Sequence, residues 1–180
     1  MGKRIDKDAD ITVQSLIRNG GFYYVSKNGD TELVLEEHGD DDFINFGTLK
    51  QMKTKNKSIL ENFKILIIEA EDVTVEEVVS ELKLKDSYDE LKATLGADDY
   101  SFDIDDIEEY VLDSPSETFA KIVSNEKSKV RDLLINEAVY LFKEGRLKDT
   151  NKTDAIAKAI GITDGVMISA FWEDIRISVE

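Results

Sequence analysis

The chain contains no cysteine, one proline and one histidine. Without thiols there is no disulfide framework and no thiolate metal site, which suits a reducing cytosol or an assembly built there. A single proline argues against proline-rich linkers. The lone histidine, His38, lies between Glu37 and Gly39 in an expected loop. With cysteine absent and no nucleophile motif around any serine, it completes no hydrolytic triad. Long apolar runs are missing too. Ile65-Leu66-Ile67-Ile68 is typical of the stretches present, and a membrane helix needs about 20 residues. Met1-Gly2-Lys3-Arg4-Ile5-Asp6 begins like a myristoylation signal, but Asp6 stands where Ser or Thr is required, and no apolar signal-peptide core follows. No Walker loop, dinucleotide fingerprint or zincin motif occurs. The expectation is a protein that is not an enzyme, with no cofactor, no metal, no membrane insertion and no small-molecule substrate.

What the chain does have is negative charge. Its 180 residues carry 39 Asp and Glu against 23 Lys and Arg, a net −16. Residues 86–117 concentrate it, with twelve acids against Lys92 alone. Within that stretch Asp105, Asp106, Glu108 and Glu109 alternate with Ile104, Ile107, Tyr110 and Val111 at helical spacing. A surface this negative repels phosphate backbones and anionic lipid and attracts cationic protein surfaces, so no direct nucleic-acid contact is expected. The four carboxylates read either as a solvated face near a helix start or as a docking surface for a basic partner. DNA mimicry is a third reading, and it requires phosphate-like spacing that composition does not show.

The opposite charge is concentrated in residues 50–57, where Lys50, Lys53, Lys55 and Lys57 occur without an acid. One compact positive site and one long negative site allow copies to meet head to tail, or the chain to dock on a mixed-charge neighbour; such complementarity sets orientation and encounter rate more than affinity. Tyr23 and Tyr24 in an aromatic strand would supply anchors. These residues are the partner-binding candidates.

Two other patterns fail at decisive positions. Asp6, Asp8 and Asp10 have EF-hand spacing, but Ile11 replaces the bend glycine and Ile17 the closing glutamate. A loop begun at Asp99 has Ile104 and Tyr110 at those places. Ala157 and Gly161 fit a helix-turn-helix packing pattern, yet the second helix, Asp164 to Glu173, offers apolar residues and acids where a recognition helix carries Arg, Lys, Asn or Gln.

The predicted architecture is α+β: an N-terminal antiparallel β-meander module over 1–72, then a mostly helical acidic module over 73–180. Strands are expected near 11–17, 22–26, 31–36 and 64–69. Asn19-Gly20-Gly21 and Asn28-Gly29 mark turns, the second suited to type I′, and Gly39 with Asp40-Asp41-Asp42 marks a loop. Helices are predicted from Thr74 with Glu77 as a capping box, from Asp86 to a stop at Gly96, from Asp103, from Ser114-Pro115-Ser116-Glu117, through Val130 to Phe142, and from Asn151 to Gly161. Val166 to Ile177 fits a helix or a strand.

Three segments, Gly21 to Gly29, Phe43 to Met52 and Phe63 to Ile68, with the later Asp154 to Ile162 stretch, resemble small virion-associated proteins of tailed bacteriophages. The likeness covers roughly the first 70 residues and one helix. It implies a non-enzymatic structural or assembly protein of the head, neck, tail or baseplate, binding other virion proteins or copies of itself, located in the virion after assembly in the bacterial cytoplasm. The alternative is an acidic cytoplasmic inhibitor or regulator of a basic protein. The resemblance carries over no functional residues.

Overall fold

The computed structural model describes residues 4–18, 20–29 and 32–178. The Met1-Gly2-Lys3 start, Asn19 of the first turn and Thr31 of the third predicted strand lie outside the described residues. Strands β1 (Asp10–Ser15), β2 (Phe22–Val25), β3 (Glu32–Leu35) and β4 (Asp41–Asn45) precede α1 (Phe46–Lys55), α2 (Ser58–Glu61) and β5 (Ile65–Ala70). Then come α3 (Val75–Glu81), α4 (Lys85–Leu95), α5 (Ile104–Asp113), α6 (Ser116–Val123), α7 (Arg131–Lys143), α8 (Thr150–Ala159) and α9 (Gly165–Ile177). The fold is α+β, with antiparallel strands N-terminal and helices dominating the rest. Two compact units divide at 104/105. The first unit therefore extends past the change of period at residue 73, because α3 and α4 pack with the strands.

The strands are antiparallel but do not follow meander order. β1 lies between β4 and β5, and β2 bonds to β3 in a separate hairpin. The reason is burial. Every residue of Ile11–Leu16 is buried, and a strand covered on both faces belongs at the centre of its sheet. Its amide side chain is satisfied there: Gln14 Nε2 donates to Gly39 O (3.2 Å) and Gln14 Oε1 accepts from Ile104 N–H (2.9 Å). The expected loop at Asp41-Asp42 is instead the start of β4, pairing with Gln14 and Val13 of β1. Acids suit an edge strand, where solvated charge blunts further pairing.

Opposite β1, β5 carries a bulge. The register moves from Thr12↔Glu69 to Val13↔Ile67, which leaves Ile68 as the extra residue. The Ile67 N–H donates to the buried Tyr88 hydroxyl of α4 (2.9 Å). Tyr88 in turn packs on Phe63, Tyr100 and Phe102.

Turn chemistry differs from expectation in one place. A type I′ turn needs two residues of positive φ. At Asn28-Gly29 only Gly29 has one (74°), and its N–H donates to Ser26 O (3.0 Å). Val25 pairs with Glu32, so the connection is longer than a two-residue hairpin turn. Gly21 is the stricter position. Its φ is +67°, and a Cβ there would lie 2.7 Å from Leu35 O and 2.9 Å from Glu36 O. Gly21→Ala is expected to destabilise the chain by about 2–4 kcal/mol, from left-handed strain and overpacking together. Urea unfolding reads this directly, and an unchanged midpoint would mean the hairpin relaxes freely.

The helix starts and stops mostly follow the local signals. Thr74 and Glu77 form the reciprocal capping box of α3, Gly96 closes α4 in a left-handed conformation, and Val166 to Ile177 is helical. Two caps differ. Pro115, rather than Ser114, sits at the N-cap of α6 without a side-chain bond, and Asp149, rather than Asn151, caps α8.

Candidate functional site

In the second unit, the acidic helix α5 ends with a problem. Its last turn contains no base, its final residue is Asp113, and its terminal carbonyls carry the negative end of the helix dipole. The remedy comes from α8. Lys152 is 1 % exposed, and its Nζ donates to Val111 O (2.7 Å) and Leu112 O (3.0 Å). The ammonium also lies 5.7 Å from the centre of the Phe119 ring. Burial lowers its pKa, opposed by the nearby carboxylates of Asp149 and Asp113. A second cation pins the same helix: Arg146 Nη1 pairs with Glu108 Oε2 at 2.6 Å. Glu108 is thus committed within the unit and half-buried, while Asp105, Asp106 and Glu109 are exposed. Of the four predicted carboxylates, three share the solvent side.

The lysines at 50–57 are less available than their sequence suggests. Lys50 pairs with Glu81 (3.0 Å), and Lys53 and Lys57 approach Glu61 (3.9 and 3.8 Å). Lys55 lies 5.7 Å from the centre of the Tyr24 ring. Two glutamates of the same unit, Glu61 and Glu81, therefore approach three of the four lysines, and Lys55 has the Tyr24 ring instead. Tyr24 is half-buried beneath Lys55. Tyr23, by contrast, is 62 % exposed and Val25 57 %. They share the outer face of the hairpin with half-buried Val34, the cross-strand partner of Tyr23. Phe43 of β4 is equally exposed at 62 %.

The helices α6 and α8 form a frame that no local pattern announced. Asp149 caps α8, accepting from the N–H groups of Asn151 and Lys152, and also accepts from Ser116 Oγ at the start of α6 (2.5 Å). The bond from Ser116 is the main reason its carboxyl is held below the usual range. At the other end Arg131, the first residue of α7, donates to Val123 O of α6 (2.8 Å) and to Ala159 O of α8 (2.7 Å). The two N-termini therefore share a carboxylate and the two C-termini share a guanidinium. α6 and α8 run parallel, with α7 returning between their ends. Parallel dipoles repel, and each shared ion compensates the pair at the end where it sits. Between the two helices runs an open trough of about 670 Å³.

The remaining sequence candidates resolve simply. His38 Nε2 lies 2.8 Å from Arg18 Nη2. Asp8 N–H donates to the Asp6 carboxylate (3.0 Å), and Asp10 belongs to β1. α8 and α9 are consecutive helices over the 154–177 stretch, and Trp172 of α9 is buried and donates to Thr153 O (3.2 Å), but Ile160 is 45 % exposed, so the helix-turn-helix packing is not formed as the pattern suggested. Outward, α9 presents Val166, Met167 and Ile177, and Arg176 approaches Glu173 (3.6 Å). That face offers little to read a base edge. No helix among the described residues is long and apolar enough to cross a membrane. No family model, curated protein or solved structure matches the chain.

Proposed function

We propose that the chain is a non-enzymatic structural or assembly protein of a tailed-phage particle, working through protein–protein contacts. The observation that carries this reading is the outer face of the β2–β3 hairpin, where Tyr23, Val25 and Val34 line up on one side. An exposed aromatic next to branched aliphatics is a poor solvent surface and a good anchor. The surrounding chain is strongly acidic, which disfavours phosphate and lets the apolar face select polypeptide. The alternative, capture of a basic protein, rests on the exposed carboxylates of Asp105, Asp106 and Glu109.

Incorporation tests the reading. The chain, tagged, is expressed in bacteria producing the remaining particle components, and gradient-purified particles are assayed by mass spectrometry. Wild type is expected in the particles at a fixed ratio. Tyr23→Ser with Val25→Ser is expected to lower incorporation at least about tenfold, as loss of an aromatic hot spot does, with melting unchanged. Absence of wild type from the particles overturns the proposal. Equal incorporation of the double variant removes the hairpin from it.

A further inference from the structure

The trough between α6 and α8 has an ordered charge pattern. Glu117 and Asp154 stand toward the N-terminal end, Lys121 and Lys158 toward the C-terminal end, and Ala120, Ala155 and Ala159 are half-buried between them. On each helix the acid precedes the base by four residues, about 6 Å along the axis. At that spacing each pair is placed to neutralise itself, as Lys57 and Glu61 approach one another elsewhere. Neither pair closes to an ion pair among the described residues, so the four charges remain available to a neighbour. The trough is also nearly balanced, with Glu126 past the end of α6 as its one further charge, on a chain of net −16. It is a surface on which like copies repel one another little.

A surface graded from acid to base is complementary to itself when reversed. A two-fold axis perpendicular to the helices, level with the midpoint of each pair near residues 119 and 156, reverses the order. Glu117 then meets the second copy's Lys121, and Asp154 its Lys158, twice over. The opposite choice, a two-fold along the helices, sets acid on acid. The same reversal makes the helix dipoles of the two copies antiparallel. Alanines along the trough let the backbones approach closely, and two parallel pairs stacked in opposition have the layout of a four-helix bundle.

We infer that α6 and α8 form a self-complementary docking face for a second copy of this chain, closing into an antiparallel four-helix bundle about a two-fold axis. The inference rests on the assembly reading above and names one of its contacts. Two short helices bury less than a standard interface of about 1,600 Å². The association is therefore weak, with a Kd on the order of 10–100 μM, and it loosens in salt.

Charge exchange tests this. In sedimentation equilibrium up to about 500 μM, wild type is expected to dimerise with that affinity. Glu117→Lys with Asp154→Lys gives a trough that is basic apart from Glu126, and Lys121→Glu with Lys158→Glu an all-acidic one. Each variant alone should be monomeric, and an equimolar mixture should form a heterodimer. Because the chain has no native cysteine, Ala155→Cys provides an independent reading that leaves the charges intact: oxidation should trap a covalent dimer, while Val166→Cys on α9 should not. A monomeric wild type overturns the inference, as do charge-reversed variants that still dimerise alone, or a Val166→Cys chain that cross-links as readily as Ala155→Cys. Particle incorporation in the preceding experiment is read separately, so a monomer result leaves the assembly reading standing on its own test.

Discussion

Lys152→Met should lower the stability of the chain by about 2–4 kcal/mol, seen as a reduced urea midpoint with an unchanged slope. Methionine fills nearly the same volume, so little of the loss is cavity. What goes is the donor that satisfies Val111 O and Leu112 O and the positive charge at the end of an acidic helix. Two carbonyls at the α5 terminus then lose their shared partner. Relief from burying an ammonium works the other way, and the two effects separate by pH. Burial holds the Lys152 pKa below its ordinary value of 10.5. Between the folded and the unfolded pKa, the unfolded chain therefore binds more protons, and stability from this group rises with pH. Lys152→Met lacks that term. The gap in melting temperature between wild type and variant should widen from pH 8 to pH 10. Tyrosine ionisation is common to both chains and drops out of the difference. A variant more stable than wild type at pH 8 would mean that the cost of burying the charge outweighs its hydrogen bonds, and the account of α5 fails.

Lys152 also shows where sequence reading stops. In Asn151-Lys152-Thr153-Asp154 it looks like any solvated lysine of a first helical turn. Its role is set by the end of a helix about forty residues earlier, and nothing local announces it. A signal did exist one step away. α5 has acids in its first turn and an acid at its end, so its C-terminal carbonyls had to find a cation elsewhere. Signals that are local were legible: the capping box at Thr74 and Glu77, the glycine stops at 96 and 161, and the strand expected near 64–69, which is β5 and is buried over residues 65–67. Strand order was not, because β1 finds β5 across more than fifty residues, and the hairpin between them forms its own sheet. The candidate site divides the same way. Each Glu-to-Lys or Asp-to-Lys step on α6 and α8 is visible in sequence as a helix pair. That they lie side by side, graded in one direction, depends on Asp149 and Arg131 tying the ends together.

The charges picked out first, α5 and the 50–57 lysines, illustrate a general limit of composition. A run of one sign attracts its counterions from within the chain before it attracts a partner. Glu61 and Glu81 approach Lys50, Lys53 and Lys57, and Arg146 takes up Glu108. The two surfaces proposed for recognition lie outside these pairs: an apolar hairpin face on one unit and a graded trough on the other.

Tyr88→Ala should be the most damaging single change in the first unit, about 4–5 kcal/mol, and Tyr88→Phe should account for about 1–3 kcal/mol of it. The ring fills the space between Phe63, Tyr100 and Phe102, with centroids 5.4, 5.8 and 6.1 Å away, and it is fully buried. Its hydroxyl has a separate task. The bulge at Ile68 breaks the ladder between β1 and β5, and the neighbouring Ile67 N–H turns to the Tyr88 oxygen. Phenylalanine keeps the packing and leaves that donor buried without its acceptor. Burial also pushes the phenol above its usual pKa of 10.0, so the neutral hydroxyl persists across the ordinary pH range. Since a domain's total stability is about 5–15 kcal/mol, Tyr88→Ala brings the strand-rich unit close to unfolding, whereas Tyr88→Phe leaves it folded with a local defect. Amide hydrogen exchange locates that defect. In Tyr88→Phe the Ile67 amide should exchange faster than the change in global stability explains, while the amides of α8 keep their wild-type rates. If Ile67 stays as protected as in wild type, the hydroxyl is not its partner and the ring alone holds the bulge.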